Sequence, residues 1–188
     1  MPISIAYRKC PQGVFLPVNI KKYSAVSEDI YAIFRTFTPD IEPVGIDEAF
    51  LDITGSYYLF GTPIDTCKFI KSRIKERAGL TASVGLAPSK IAAKIASDLK
   101  KPDGFVEVPD GGVAEFLRPL DIRRLWGLGP KAEVALKEIG ITTAGELAAC
   151  PVKRITGILG ESGRMFWKLA NGIDESELVF ERETQSMS

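Results

Sequence analysis

The sequence predicts an α+β fold. A βαββαβ-like sheet with helices on one face spans residues 1–108, a small all-helical region with a helix-hairpin-helix spans 109–174, and a linker-like tail spans 175–188. Three observations predict it. Up to Val108, short apolar strand-like runs alternate with stretches in which apolar residues recur at helical spacing. From about Asp110, glycines at 127, 129, 140, 157, 160, 163 and 172 cut the chain into short helical pieces without comparable strand signal. From Glu177 to Ser188 the chain is polar and charged, as in segments that fray or link.

Val14 to Val18 reads as a short strand. The next predicted element is a helix from Ile20 to Phe37, on which Tyr23, Val26, Ile30, Ile33, Phe34 and Phe37 share a face; Pro39 ends it. A strand pair is expected around Asp47, with Pro43 and Gly45 supplying the bend. Pro63 to Ala78 reads as an amphipathic helix, setting Ile64, Cys67, Phe69, Ile70 and Ile74 against a basic face of Lys68, Lys71, Arg73, Lys75 and Arg77, and Gly79 stops it. Thr81 to Leu86 is a predicted strand, Pro88 to Leu99 a helix, and Gly104 to Val108 a last strand before Pro109.

The chain has 188 residues, 45% of them hydrophobic, enough for one sizeable core or two small domains. Lys plus Arg equals Asp plus Glu at 24 each, so any nucleic-acid contact must come from local patches. Cys10, Cys67 and Cys150 lie far apart and there is no His, which argues against zinc sites and His-based catalysis. No apolar run approaches the roughly 20 residues that cross a bilayer, so the expectation is a cytoplasmic protein with reduced thiols and no membrane partner.

Asp47 and Glu48 are adjacent acids inside an apolar, strand-like stretch. Carboxylates near a core are costly unless paired or bound to a cation, so the pair reads either as a divalent-metal site of hard oxygen ligands or as a solvated turn. At a strand end or in a tight hairpin both could reach one ion. Ser89, Lys90 and Lys94 follow a small-residue turn into a helix, an arrangement that suits a phosphate or an ordinary helix start. Lys100 and Lys101 at that helix's end either complement its dipole or meet a triphosphate. Gly127-Leu128-Gly129-Pro130-Lys131 joins two helical segments, where the glycine amides and Lys131 could approach a DNA phosphate or simply close a helical hairpin.

Taken together, four stretches in this order resemble the Y-family of translesion DNA polymerases, most closely its DinB (polymerase IV) branch: Ile41 to Asp52, Thr81 to Ala87, Lys94 to Gly104, and Trp126 to Gly129. The resemblance covers almost the whole chain. It implies an incomplete polymerase palm with part of the fingers over 1–108 and a helical thumb over 109–174. It implies that Asp47 and Glu48 serve catalysis and hold metal, and that Lys101 contacts the incoming dNTP. Ser89, Lys90, Lys94, Gly127, Gly129 and Lys131 would contact primer-template DNA. The chemistry implied is two-Mg²⁺ phosphoryl transfer from dNTP to a primer 3′-hydroxyl.

The family pattern also contains a first strand with another metal-binding Asp, Tyr and Arg residues of the fingers, and a C-terminal little finger, none of which is found here. Gly45 stands where Ser is usual. The expectations that follow are a chain that polymerises poorly or not at all alone, a palm edge open to homodimer formation, and a sliding-clamp contact left to the C-terminal region. Two other functions compete: a non-catalytic module that binds the DNA backbone, and a nucleotidyl cyclase or related palm enzyme.

Overall fold

The computed structural model describes residues 1–180; the expectations for 181–188 lie outside the described residues. The chain opens with a short helix, α1 (Ile3–Lys9), that the sequence reading did not anticipate. Val14 to Val18 is not a strand: the segment is irregular, and Val14, Leu16 and Val18 are 86%, 80% and 72% exposed. Pro17 lacks the N–H that a ladder position would donate, and no neighbouring strand within the described residues pairs with this stretch.

Helix α2 (Ile20–Arg35) starts where Asn19 accepts a hydrogen bond from the Lys22 amide. Its C-terminal half buries Ile33, and Phe37 follows just beyond, both packing on Ile70 and Ile74 of α3 (Pro63–Ala78) with Leu51 and Phe60 alongside. The bounds of α3 are those predicted, because Thr62 and Asp65 cap each other's amides reciprocally, Pro63 occupies the first turn, and Gly79 turns left-handed at the end.

Between α2 and α3 lies an antiparallel hairpin, β1 (Ile41–Pro43) and β2 (Ala49–Leu51), closed at Pro43 opposite Ala49. After α3 comes a parallel βαβ unit: β3 (Val84–Leu86), α4 (Lys90–Leu99) and β4 (Phe105–Glu107). Among the described residues the strands thus form two separate two-stranded ribbons rather than one continuous sheet. The expected strand from Thr81 begins only at Val84, since the Ala82 carbonyl accepts from Lys71 Nζ instead of joining a ladder.

Helix α4 lies so close on β3 that a Cβ on Gly85 would sit 2.1 Å from the Ala93 carbonyl oxygen and 2.6 Å from the Ser97 amide nitrogen. Both neighbours are backbone and cannot step aside singly. Gly85→Ala is therefore expected to lower stability by about 3 kcal/mol through overpacking, read from urea unfolding; an unchanged midpoint would contradict this close approach.

The remaining helices are α5 (Val113–Leu117), α6 (Pro130–Glu138), α7 (Ala144–Ala149), α8 (Val152–Leu159) and α9 (Glu161–Ala170), with a 3₁₀ turn over Ile122–Arg124 between α5 and α6. Their core includes Leu117, Ile122, Leu125, Leu136, Leu147 and Ile155, each at most 2% exposed. The same cluster takes in Ile91, Ala92, Ile95 and Ala96 of α4 and Val108. Helix α4 therefore belongs to two environments, with β3 and β4 on one side and the helical region's core on the other.

Candidate active site

The acids Asp47 and Glu48 sit at the tip of the β1–β2 hairpin. The tip is a tight turn: the Glu48 carbonyl accepts from the Val44 amide at 3.0 Å and the Gly45 amide at 3.2 Å. Tyr31 of α2 braces it from below, its hydroxyl donating to the Gly45 and Glu48 carbonyls at 3.1 Å each. Partial burial and the nearby Asp47 charge hold the Tyr31 hydroxyl above the ordinary phenol value, outweighing Arg35. This residue was read only as part of a helix in the sequence; its bracing role depends on α2 crossing beneath a turn formed 14 residues later.

Opposite the tip runs α4. Lys94 Nζ lies 2.5 Å from a Glu48 carboxylate oxygen and 3.7 Å from Asp98, while Lys101 Nζ lies 2.6 Å from Asp98. The result is a chain of alternating charge, Glu48, Lys94, Asp98, Lys101, with Asp47 beside it. Burial acts to raise the Asp98 carboxyl, but the hydrogen bond from Lys101 and the charges of Lys94, Lys101 and Arg124 bring it below the usual range. Lys101 is held above its ordinary value by the hydrogen bond to Asp98 and, after a small opposing effect of burial, by the charges of Asp98, Glu48 and Asp47. Asp98 was not singled out from sequence, although its spacing from Lys94 and Lys101 places it on their helix face.

The Asp47 carboxylate is exposed and makes no hydrogen bond or ion pair among the described residues, in contrast to Glu48. Two adjacent carboxylates, one without an ion pair among the described residues and one shared with a lysine, are hard oxygen donors of the kind that could hold one divalent cation. No cluster of three or more acids, Cys or His with metal-holding geometry occurs among the described residues. Asp52 turns away and accepts the Thr54 amide at 2.8 Å.

The turn that carries Lys101 is anchored by a residue that the sequence placed on a solvated basic face. Lys71 of α3 is largely buried, and its Nζ donates to the Ala82 carbonyl, to the Asp103 carbonyl at 3.0 Å and to the Gly104 carbonyl at 3.1 Å, with the Asp103 carboxylate at 2.7 Å. Asp103 takes a left-handed φ of 54° there, a conformation that Asp tolerates.

The other candidate residues fall elsewhere. Ser89 caps α4, accepting from the Ala92 amide at 3.4 Å. Lys90, one turn before Lys94, pairs with Glu42 of β1, which is 1% exposed, and its ammonium stands 5.2 Å from the Phe50 ring centre. Gly127, Gly129 and Lys131 form the exposed turn into α6, and Gly127 needs its left-handed φ of 85° for that turn. Among the described residues the Gly127 and Gly129 amides meet no acceptor. Trp126 joins this turn to the hairpin by an edge contact with Phe50 at 6.3 Å.

An acid-tipped hairpin over a lysine-bearing helix, followed by a helix-hairpin-helix, is matched in both sequence and fold by known proteins. The chain belongs to the impB/mucB/samB family, whose model matches residues 1–98, and the IMS family HHH motif matches residues 110–141. Its place there is with the DinB branch of the Y-family DNA polymerases. It is 41% identical over 175 residues to the DNA polymerase IV of Desulfatibacillum aliphaticivorans, covering 93% of this chain and 44% of that protein. To the DNA polymerase IV of Moorella thermoacetica it is 43% identical, covering 94% and 44%. The crystal structure of DinB from Sulfolobus solfataricus superposes with a TM-score of 0.85 at 30% identity, over 96% of this chain and 53% of that one. An insertion ternary complex of Dbh DNA polymerase gives 0.85 at 31%, over 95% and 52%. The chain spans about half the length of the relatives it matches.

Proposed function

We propose that this chain is the metal-hairpin and thumb portion of a translesion DNA polymerase that transfers a nucleotide from dNTP to a primer 3′-hydroxyl. The observation that carries the reading is the meeting of Asp47 and Glu48 with the Lys94, Asp98 and Lys101 face of α4 in a chain of this family. Asp47 and Glu48 would hold Mg²⁺, which neutralises triphosphate charge. Lys101, anchored through the turn that Lys71 fixes, extends to the phosphates. Lys94 has a second partner in Asp98, so Glu48 can turn to a cation without leaving the lysine unpaired. Gly127, Gly129 and Lys131 present free amides and a positive charge to the DNA backbone, a contact that carries no base information. Ser89 acts mainly as a helix cap in this reading, and Lys90 contacts DNA only if it leaves Glu42.

Two carboxylates suit one ion better than the two used in phosphoryl transfer by complete polymerases. We therefore expect this chain alone to bind primer-template DNA but extend primers poorly. Primer-template affinity should fall steeply with salt, and Lys131→Ala should reduce the salt slope by about 1. Robust Mg²⁺-dependent extension by the chain alone, abolished by Asp47→Asn, would overturn the expectation of weak activity; salt-independent or undetectable DNA binding would overturn the thumb assignment. The non-catalytic DNA-backbone module is the reading that survives if DNA binds but nucleotide and metal do not.

Among the described residues β3 and β4 pair only with each other, which supports a homodimer through the palm edge. Sedimentation should show concentration-dependent association; a strictly monomeric profile at high concentration would count against it.

A further inference from the structure

We propose that residues 174–179 form a clasp that locks the acidic hairpin onto α4, with Glu42 as the positioning residue beneath Asp47 and Glu48. The hairpin is tied to α4 twice. Glu48 at the tip meets Lys94, and Glu42 at the base meets Lys90 one helical turn earlier. The tip tie is the half-open one, with Glu48 37% exposed at the side chain, while Glu42 is 1% exposed. If a cation recruits Glu48, the base tie is the one left to hold the hairpin in place.

The base tie is closed over by chain from the far end of the sequence. The Val179 amide donates to the same Glu42 oxygen, Oε2, that receives Lys90, at 3.0 Å. The Glu177 carbonyl accepts from Lys90 Nζ at 3.0 Å. Asp174 Oδ2 accepts from the Ile91 amide at 2.9 Å, so it satisfies an N–H in the first turn of α4 from outside the helix, and its other oxygen takes the Ser176 amide at 3.1 Å and the Ser176 hydroxyl at 2.6 Å. Three contacts thus converge on Glu42, Lys90 and the start of α4. The segment following α9, up to Val179, ties the helical region's exit to the foundation of the acidic site.

The consequence is that the position of the chain after α9 is felt at Asp47 and Glu48; the part concerning metal rests on the function proposed above. The test is hydrogen exchange on the whole chain, comparing the native sequence with Val179→Pro, which removes one N–H, and Asp174→Ala, which removes the helix contact. Both should speed exchange about fivefold at residues 44–49 and 89–92 while leaving α8 and α9 as they were, and both should weaken binding of Mn²⁺ with dNTP severalfold. Faster exchange confined to 173–180, or a uniform rise across the chain, would overturn the clasp. If the native chain binds no Mn²⁺ at the hairpin, the proposed function fails while the exchange pattern still decides the clasp.

Discussion

Lys90→Met is expected to lower stability by about 3 kcal/mol, because it removes the ammonium that pairs with the buried Glu42 carboxylate. Glu42 is 1% exposed and the Lys90 side chain 12%, so water cannot readily replace the lost partner. The comparison is Lys94→Met. Its partner Glu48 is 37% exposed at the side chain, solvent screens that pair, and the expected loss is about 1 kcal/mol or less. Adding Glu42→Leu to Lys90→Met should recover most of the loss, since a desolvated pair exchanged for apolar side chains is often close to neutral. Urea unfolding of the four proteins gives all of these numbers. Equal effects of the two lysine substitutions would mean that burial of Glu42 does not matter as argued here.

Asp47→Asn is expected to weaken binding of Mn²⁺ with dNTP at least about 100-fold, more than the typical cost of disturbing a residue behind a metal ligand. The neutral amide keeps the shape and gives up the charge that attracts the ion. Stability should change little, since Asp47 is exposed and makes no hydrogen bond or ion pair among the described residues. Glu48→Gln should weaken binding as well but also release Lys94, so it confounds metal affinity with hairpin placement. Isothermal titration of the two proteins makes the comparison, and unchanged affinity in Asp47→Asn would remove Asp47 from the proposed metal site.

Much of the fold was legible because its signals are local. Helix α3 has its predicted bounds owing to Thr62, Pro63 and Gly79, which act within one turn of its ends. The hairpin carrying Asp47 and Glu48 was legible for the same reason, Pro43 and Gly45 supplying the bend in a short apolar stretch. The strand expected at Val14 to Val18 did not form because, among the described residues, no strand neighbours it to complete a ladder, and Pro17 removes a donor. The two-ribbon pairing was not legible, since it depends on how helices pack rather than on any strand's own residues.

The candidate site divides in the same way. Asp47, Glu48, Lys94 and Lys101 stand out in ordered motifs, and the structure brings them together. Glu42, Lys71 and Tyr31 do not stand out, because each gains its role from a partner 48, 32 or 14 residues away. A glutamate before a proline and a lysine among five basic residues look like surface groups until the fold buries them. Burial then changes their meaning: Glu42 and Lys71 organise the hairpin base and the Lys101 turn.

The most direct test of the account is paramagnetic broadening by Mn²⁺ with dNTP, followed by NMR on the isotope-labelled chain. The account predicts broadening centred on residues 44–49, extending to Asp98 and Lys101, and lost in Asp47→Asn. Broadening centred elsewhere, or none at saturating Mn²⁺ and dNTP, would contradict it.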